Sequence, residues 1–150
     1  MSYQEKNITV SLVSHLLIVG YYLVNIFQML QEGGLVSTRL FSLWAIVIIA
    51  AILVNIIGSI LTHIVLSIVH AIKTKTEEEE RFIEDERDKL IGLKGVKASY
   101  ITFSIGVLLA MLTFVFGQPP LVMFSVIIFF SIAAEIIGDI SQIYLYRRGF

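Results

Sequence analysis

The run LVMFSVIIFFSIAAEIIGDISQIYLY, residues 121–146, decides the fold. Fourteen residues, Leu121 to Ala134, pass without a charge before Glu135, and Asp139 follows four residues later. An apolar run of this length crosses a bilayer as a helix, which takes about 20 residues. Positions i and i+4 share a helix face, so both carboxyls are expected to point the same way. They lie at a depth where hydrocarbon would normally surround the chain. An ionisable group there is costly, and it is retained where it faces a bundle interior or a water-filled cavity.

Working outward, three more stretches have the length and apolarity to span. The four are 8–30, 40–72, 97–117 and 120–146. The second runs from Leu40 to Ile72 without Lys, Arg, Asp or Glu. At ~1.5 Å per residue it reaches ~50 Å, so it must tilt or project beyond the membrane. Gln31-Glu32-Gly33-Gly34 separates the first span from the second, and Gly117-Gln118-Pro119-Pro120 separates the third from the fourth. Proline suits a helix start, where its missing N–H costs nothing. The sequence therefore predicts an all-α polytopic membrane protein: one four-helix transmembrane domain, 1–150, built as two helical hairpins.

Composition agrees. The chain is 57% hydrophobic and 15% charged, with a mean hydropathy of +0.86. Of its 23 charged residues, 15 lie between Lys73 and Lys97, whereas a soluble helical protein spreads charge over every outer face. The net charge of −1 gives no reason to expect direct nucleic-acid binding. There is no cysteine, which excludes disulfides, thiolate metal sites and thiol catalysis. Ile8 to Leu30 is too long for a cleaved signal and has no small-x-small cleavage site, so it should remain a span.

Lys and Arg placement sets the expected orientation. The 73–97 loop carries Lys73, Lys75, Arg81, Arg87, Lys89, Lys94 and Lys97, and Lys6, Arg147 and Arg148 lie on the same side. The other side has only Arg39. Both termini and the charged loop should face the cytoplasm, in a multi-pass protein of the cell membrane. Within the loop, Glu77 with Arg81 and Asp85 with Lys89 have helical pair spacing, worth a few tenths of a kcal/mol each. The segment 73–96 reads as a solvated helical extension of the second span, joined to the third through Gly92 and Gly95. A sharper reading makes Asp85, Glu86, Arg87 and Asp88 a docking element for a cytoplasmic partner.

Aligned with itself at an offset of 80, the chain sets Asn55-Ile56-Ile57-Gly58-Ser59-Ile60 against Glu135-Ile136-Ile137-Gly138-Asp139-Ile140, with six of 22 positions identical over 45–66 and 125–146. This suggests a parallel internal repeat, in which Gly58 and Gly138 would let the second and fourth helices approach closely.

Counting depth along each span at ~1.5 Å per residue, His15 lies about 10 Å from the cytoplasmic end, His63 about 13 Å, Asp139 about 10 Å and Glu135 about 16 Å. Asn55 is within a turn or two. Three readings of this intramembrane polar group stand side by side. Asp139, Glu135 and His63, with His15, could supply carboxylate and imidazole ligands to a divalent metal ion. A carboxyl in a low-dielectric site could instead exchange protons with its neighbours. Or the groups hydrogen-bond to one another and to Asn55, Ser59 or Tyr22 and fix the packing. Catalysis is disfavoured: no G-x-S-x-G, phosphate-binding glycine loop or H-E-x-x-H is present.

The segment Asp85-Glu86-Arg87-Asp88-Lys89-Leu90-Ile91 with Lys97-Ala98-Ser99-Tyr100, and the ending Glu135 to Gly149, resemble a widespread family of uncharacterised small prokaryotic four-span membrane proteins with a D-E-R-D loop motif. The resemblance covers mainly 85–150. It implies a regulatory partner, since members are often encoded beside small helix-turn-helix regulators, and it carries no established activity. Asp139 stands where that family varies.

The function expected from the sequence is therefore a non-enzymatic membrane protein of regulatory or sensing type, surrounded by membrane lipid and forming a homodimer or binding a cytoplasmic regulatory protein. The alternative is a small ion- or proton-coupled transporter, channel or metal-binding membrane protein using Glu135 and Asp139.

Overall fold

The computed structural model describes the backbone of residues 3–73 and 86–148, and the side chains of 4–54, 56, 57, 60, 64 and 86–148. Four α-helices account for almost all of it: α1 (Tyr3–Gln31), α2 (Ser37–Lys73), α3 (Glu86–Val115) and α4 (Pro120–Arg148). All four are long and apolar enough to cross a membrane, and no strand occurs among the described residues. The chain is an all-α, multi-pass membrane protein.

Both hairpin turns use the same device. Gly33 and Gly117 take φ values of 113° and 81°, a region that glycine enters without penalty. Beyond each, an amide reaches back five residues, Gly34 N–H to Met29 O at 3.0 Å and Gln118 N–H to Thr113 O at 3.1 Å. These bonds cap helix carbonyls that would otherwise lack partners, and Pro120 then opens α4.

α4 is the central helix. It packs along α3 on one side and α1 on the other, while α2 packs on α1 and reaches α4 through Phe41 and Trp44 against Phe124. Among the described residues the backbone of α3 approaches that of α4 alone, and no Cα of α3 lies within 8 Å of one in α1 or α2. On α1 the buried residues Ile8, His15, Tyr22 and Met29 recur every seven positions and form one seam. Tyr22 and Met29 join Leu40, Leu43 and Val47 of α2 and Ile128 and Ile132 of α4 in the apolar core.

The α3–α4 contact is built on small residues, which let helices approach closely where no water-driven force brings them together. A Cβ on Gly95 would stand 2.5 Å from Gln142 Cγ, one on Gly138 would overlap the Ser99 hydroxyl, and one on Gly106 would overlap the Phe130 side chain. The three pairs keep one antiparallel register.

Three expectations are corrected here. Gly92 and Gly95 are not a joint, because α3 runs unbroken from Glu86 through both. Residues 86–96 are thus the first turns of α3 rather than part of an extension of α2. Glycine in a helix costs about 1 kcal/mol relative to alanine, and at Gly95 that cost accompanies the close packing of Gln142. Gly138 is not at an α2–α4 contact either: it fits against Ser99 and lies near the Gly95 carbonyl of α3. Nor is the α1–α4 packing matched by an α2–α3 packing among the described residues, as a symmetric repeat would require. The pairs Glu77–Arg81 and Asp85–Lys89 involve positions outside the described residues.

Candidate functional site

His15 occupies a position on the buried α1 seam that its neighbours Ile8, Tyr22 and Met29 fill with apolar or aromatic bulk. An imidazole placed there needs a polar partner, because an unpaired polar group away from water costs several kcal/mol. Antiparallel α4 supplies one. His15 Nδ1 lies 2.9 Å from Asp139 Oδ2, and the Ser11 hydroxyl, one turn earlier on α1, donates to the same oxygen at 3.1 Å. His15 is 1% exposed and Asp139 8%, so the pair is enclosed by protein. Asp139 follows Gly138, so α4 sets a close approach to α3 and its polar contact with α1 at adjacent residues.

The chemistry of this pair is restricted. With Asp139 as a carboxylate, which only accepts, Nδ1 carries the hydrogen of their bond. In the neutral ring the lone pair is then on Nε2, which is buried and has no hydrogen-bond partner among the described residues. Ser11 lies on the Nδ1 side, 3.4 Å from that nitrogen. A nucleophilic serine would instead sit at Nε2, with the acid at Nδ1. The arrangement therefore does not aim the ring at Ser11 as a base. It holds α1 to α4 through a shared carboxylate oxygen.

Two further polar contacts fix α4. The Tyr22 hydroxyl donates to the Ser125 carbonyl at 2.6 Å, which ties α1 to α4 about two turns from the His15–Asp139 bond. At the other end the Tyr146 hydroxyl donates to Asp88 Oδ1 at 2.8 Å, linking α4 to the first turn of α3. The Arg87 guanidinium lies 6.0 Å above the Tyr146 ring and its Nη2 reaches the Tyr146 carbonyl at 3.5 Å. Arg87 Nε is buried without a hydrogen-bond partner among the described residues. Asp139 and Tyr146 are seven residues apart, about 10 Å along the helix.

Of the residues the sequence singled out, the structure joins His15 to Asp139 and leaves Glu135 apart from them. Glu135 is exposed, and no hydrogen bond or ion pair joins it to another described residue. The two carboxyls thus do not share an environment. They are offset by roughly 40° around the helix, and α1 covers only the position of Asp139. The side chains of Asn55 and His63 lie outside the described residues, as does Asp85. Among the described residues no three His, Asp or Glu side chains come together as a metal site would need. Of the docking element, Glu86 is exposed, whereas Arg87 and Asp88 are engaged by Tyr146.

Sequence reasoning missed Ser11 and the joining role of Tyr146. Ser11 stands one turn before His15 on the same face, which was a readable signal. Tyr146 reads only as an interfacial aromatic, since nothing in the sequence pairs it with Asp88. No protein-family description, curated protein or solved structure matches this chain.

Proposed function

We propose that this chain is a non-enzymatic regulatory or sensing protein of the cell membrane, with both termini and the 73–96 segment in the cytoplasm, and that α4 is its transmitting element. One observation carries the reading. A single helix holds a buried carboxylate bonded to α1 and, two turns on, a tyrosine bonded to the start of α3. Neutralising Asp139 weakens its hold on the Nδ1–H of His15 and on the Ser11 hydroxyl, since bonds to a charged acceptor are roughly twice as strong as neutral ones. α4 then shifts against α1, Tyr146 moves with it, and Asp88 and Arg87 are released. Asp85, Glu86, Arg87 and Asp88 become the surface that a cytoplasmic regulatory protein reads. The D-E-R-D resemblance supports such a partner.

A small ion- or proton-coupled transporter is the second reading, favoured by the exposed Glu135 one turn from buried Asp139. Liposomes and a partner capture separate the two. The regulatory reading expects no proton or cation flux from the reconstituted protein, and loss of a co-purifying partner when Asp85, Glu86, Arg87 and Asp88 are replaced by alanine. Flux abolished by Asp139→Asn in a folded protein would instead establish transport.

A further inference from the structure

The end of the bundle beside the α1–α2 turn carries polar groups that neither the His15–Asp139 bond nor the Tyr146–Asp88 bond uses. Here α1 and α2 form a groove-like cavity of about 230 Å³. Met29 and Leu43 line it from the apolar core, and Tyr21, Asn25, Thr38, Arg39 and Ser42 line it with polar side chains. Arg39 is the one Lys or Arg between Lys6 and Lys73, and none stands between Lys97 and Arg147. It is the cation of this end of the bundle.

The lining has donors to spare. Arg39 Nη1 is bonded to Glu32, which leaves the other guanidinium N–H groups free, and an exposed ion pair of this kind contributes little. The Asn25 amide gives one N–H to the Tyr21 carbonyl at 2.9 Å and keeps a second. The Ser42 hydroxyl donates to the Thr38 carbonyl at 2.9 Å, while the Tyr21 and Thr38 hydroxyls bond to no other described residue. A donor left facing hydrocarbon is costly, so a ligand rich in acceptors suits this lining.

Depth narrows the ligand further. Thr38 and Arg39 stand in the first turn of α2, and Ile46 lies about 10 Å deeper along that helix, exposed within the span. On antiparallel α1, Asn25 and Tyr21 lie one and two turns deeper than Met29. A glycerophospholipid presents its groups in the same order: phosphate, ester carbonyls, acyl chains. Its phosphate and esters offer acceptors alone. Pockets enclosing a whole drug-sized ligand run to about 300–1,000 Å³, so the smaller volume here suits the phosphate and glycerol, with the chains left in the bilayer.

We propose that the α1–α2 cavity binds a glycerophospholipid, its phosphate on Arg39 and Thr38, its ester carbonyls on Asn25 and Tyr21, and one acyl chain along Ile46. The site does not rest on the regulatory reading, because it uses neither His15 nor Tyr146.

The test is native mass spectrometry of the full chain in maltoside micelles, titrated with dioleoylphosphatidylethanolamine. One lipid per chain should bind saturably, with affinity about tenfold weaker in Arg39→Gln, the scale of a lost charge-assisted hydrogen bond. Dioleoylglycerol, which lacks the phosphate, should bind wild type and Arg39→Gln equally weakly. Glu32→Gln breaks the same ion pair but keeps the guanidinium, so it should retain the lipid. Both variants lie at exposed positions, and unchanged helical circular dichroism and elution volume verify their fold. Three results overturn the proposal: no saturable adduct with wild type, equal binding by wild type and Arg39→Gln, or an equal loss in Glu32→Gln and Arg39→Gln. Displacement of the lipid by inorganic phosphate also overturns it, in favour of a free-phosphate site. A dimer that takes up no lipid does so too, since a second copy then covers the cavity.

Discussion

Gly138 of α4 lies so close to Ser99 of α3 that a Cβ on the glycine would overlap the serine hydroxyl, with the Gly95 carbonyl 3.3 Å away. Contact at this range exists because neither helix carries bulk there. Gly138→Ala is expected to lower stability by about 1–3 kcal/mol, the usual cost of forcing extra atoms into a packed contact. Ser99→Ala removes the clashing oxygen, so the double variant should recover much of the loss. Thermal unfolding of the four proteins in one detergent measures this coupling, and strictly additive effects would count against the contact.

Asp139→Ala leaves the His15 Nδ1–H and the Ser11 hydroxyl buried without their shared acceptor. A loss of about 1–3 kcal/mol follows from that missing partner. Replacing both members, His15→Leu with Asp139→Leu, removes donor and acceptor together and should be milder than Asp139→Ala alone. Unfolding in the same detergent ranks them.

Tyr146→Phe deletes only the hydroxyl that donates to Asp88. The contact is partly exposed, so a cost of about 1 kcal/mol is expected. Hydrogen exchange read by mass spectrometry should show the first turns of α3, residues 86–91, exchanging about fivefold faster, with 120–135 unchanged. Uniform acceleration across α4 would contradict a local clamp.

Gly117 sits at φ 81° in the α3–α4 turn, where a side chain is strained. Gly117→Ala should cost about 1–2 kcal/mol, whereas Gly92→Ala, which meets nothing within 4 Å inside a helix, should be neutral or stabilising. The comparison separates a backbone requirement from a mere glycine.

The spans were legible because a bilayer imposes length and apolarity on each helix independently of its neighbours. Gly33-Gly34 and Pro119-Pro120 marked the turns by backbone preference alone. The meeting of His15 and Asp139 was legible as equal depth on two helices. Depth says nothing of azimuth, so Glu135 was grouped with Asp139 although roughly 40° of rotation separates a covered acid from an exposed one. The partner of Gly138 was misread for a related reason: matching apolar helices share residues without sharing contacts. Gly92 and Gly95 read as breakers by propensity. The Gly95 contact with Gln142 shows packing outweighing it.

The central claim is that the His15–Asp139 bond governs the Tyr146–Asp88 end of the bundle. In the cysteine-free chain, Lys89→Cys places a single thiol one residue from Asp88, on an exposed position at the start of α3. Its labelling rate in liposomes at one fixed pH should be slow while Asp139 holds His15 and Ser11 and Tyr146 holds Asp88. Added Asp139→Asn should raise that rate, towards the level reached with Tyr146→Phe. A rate left unchanged by Asp139→Asn, with Tyr146→Phe raising it, would contradict the account.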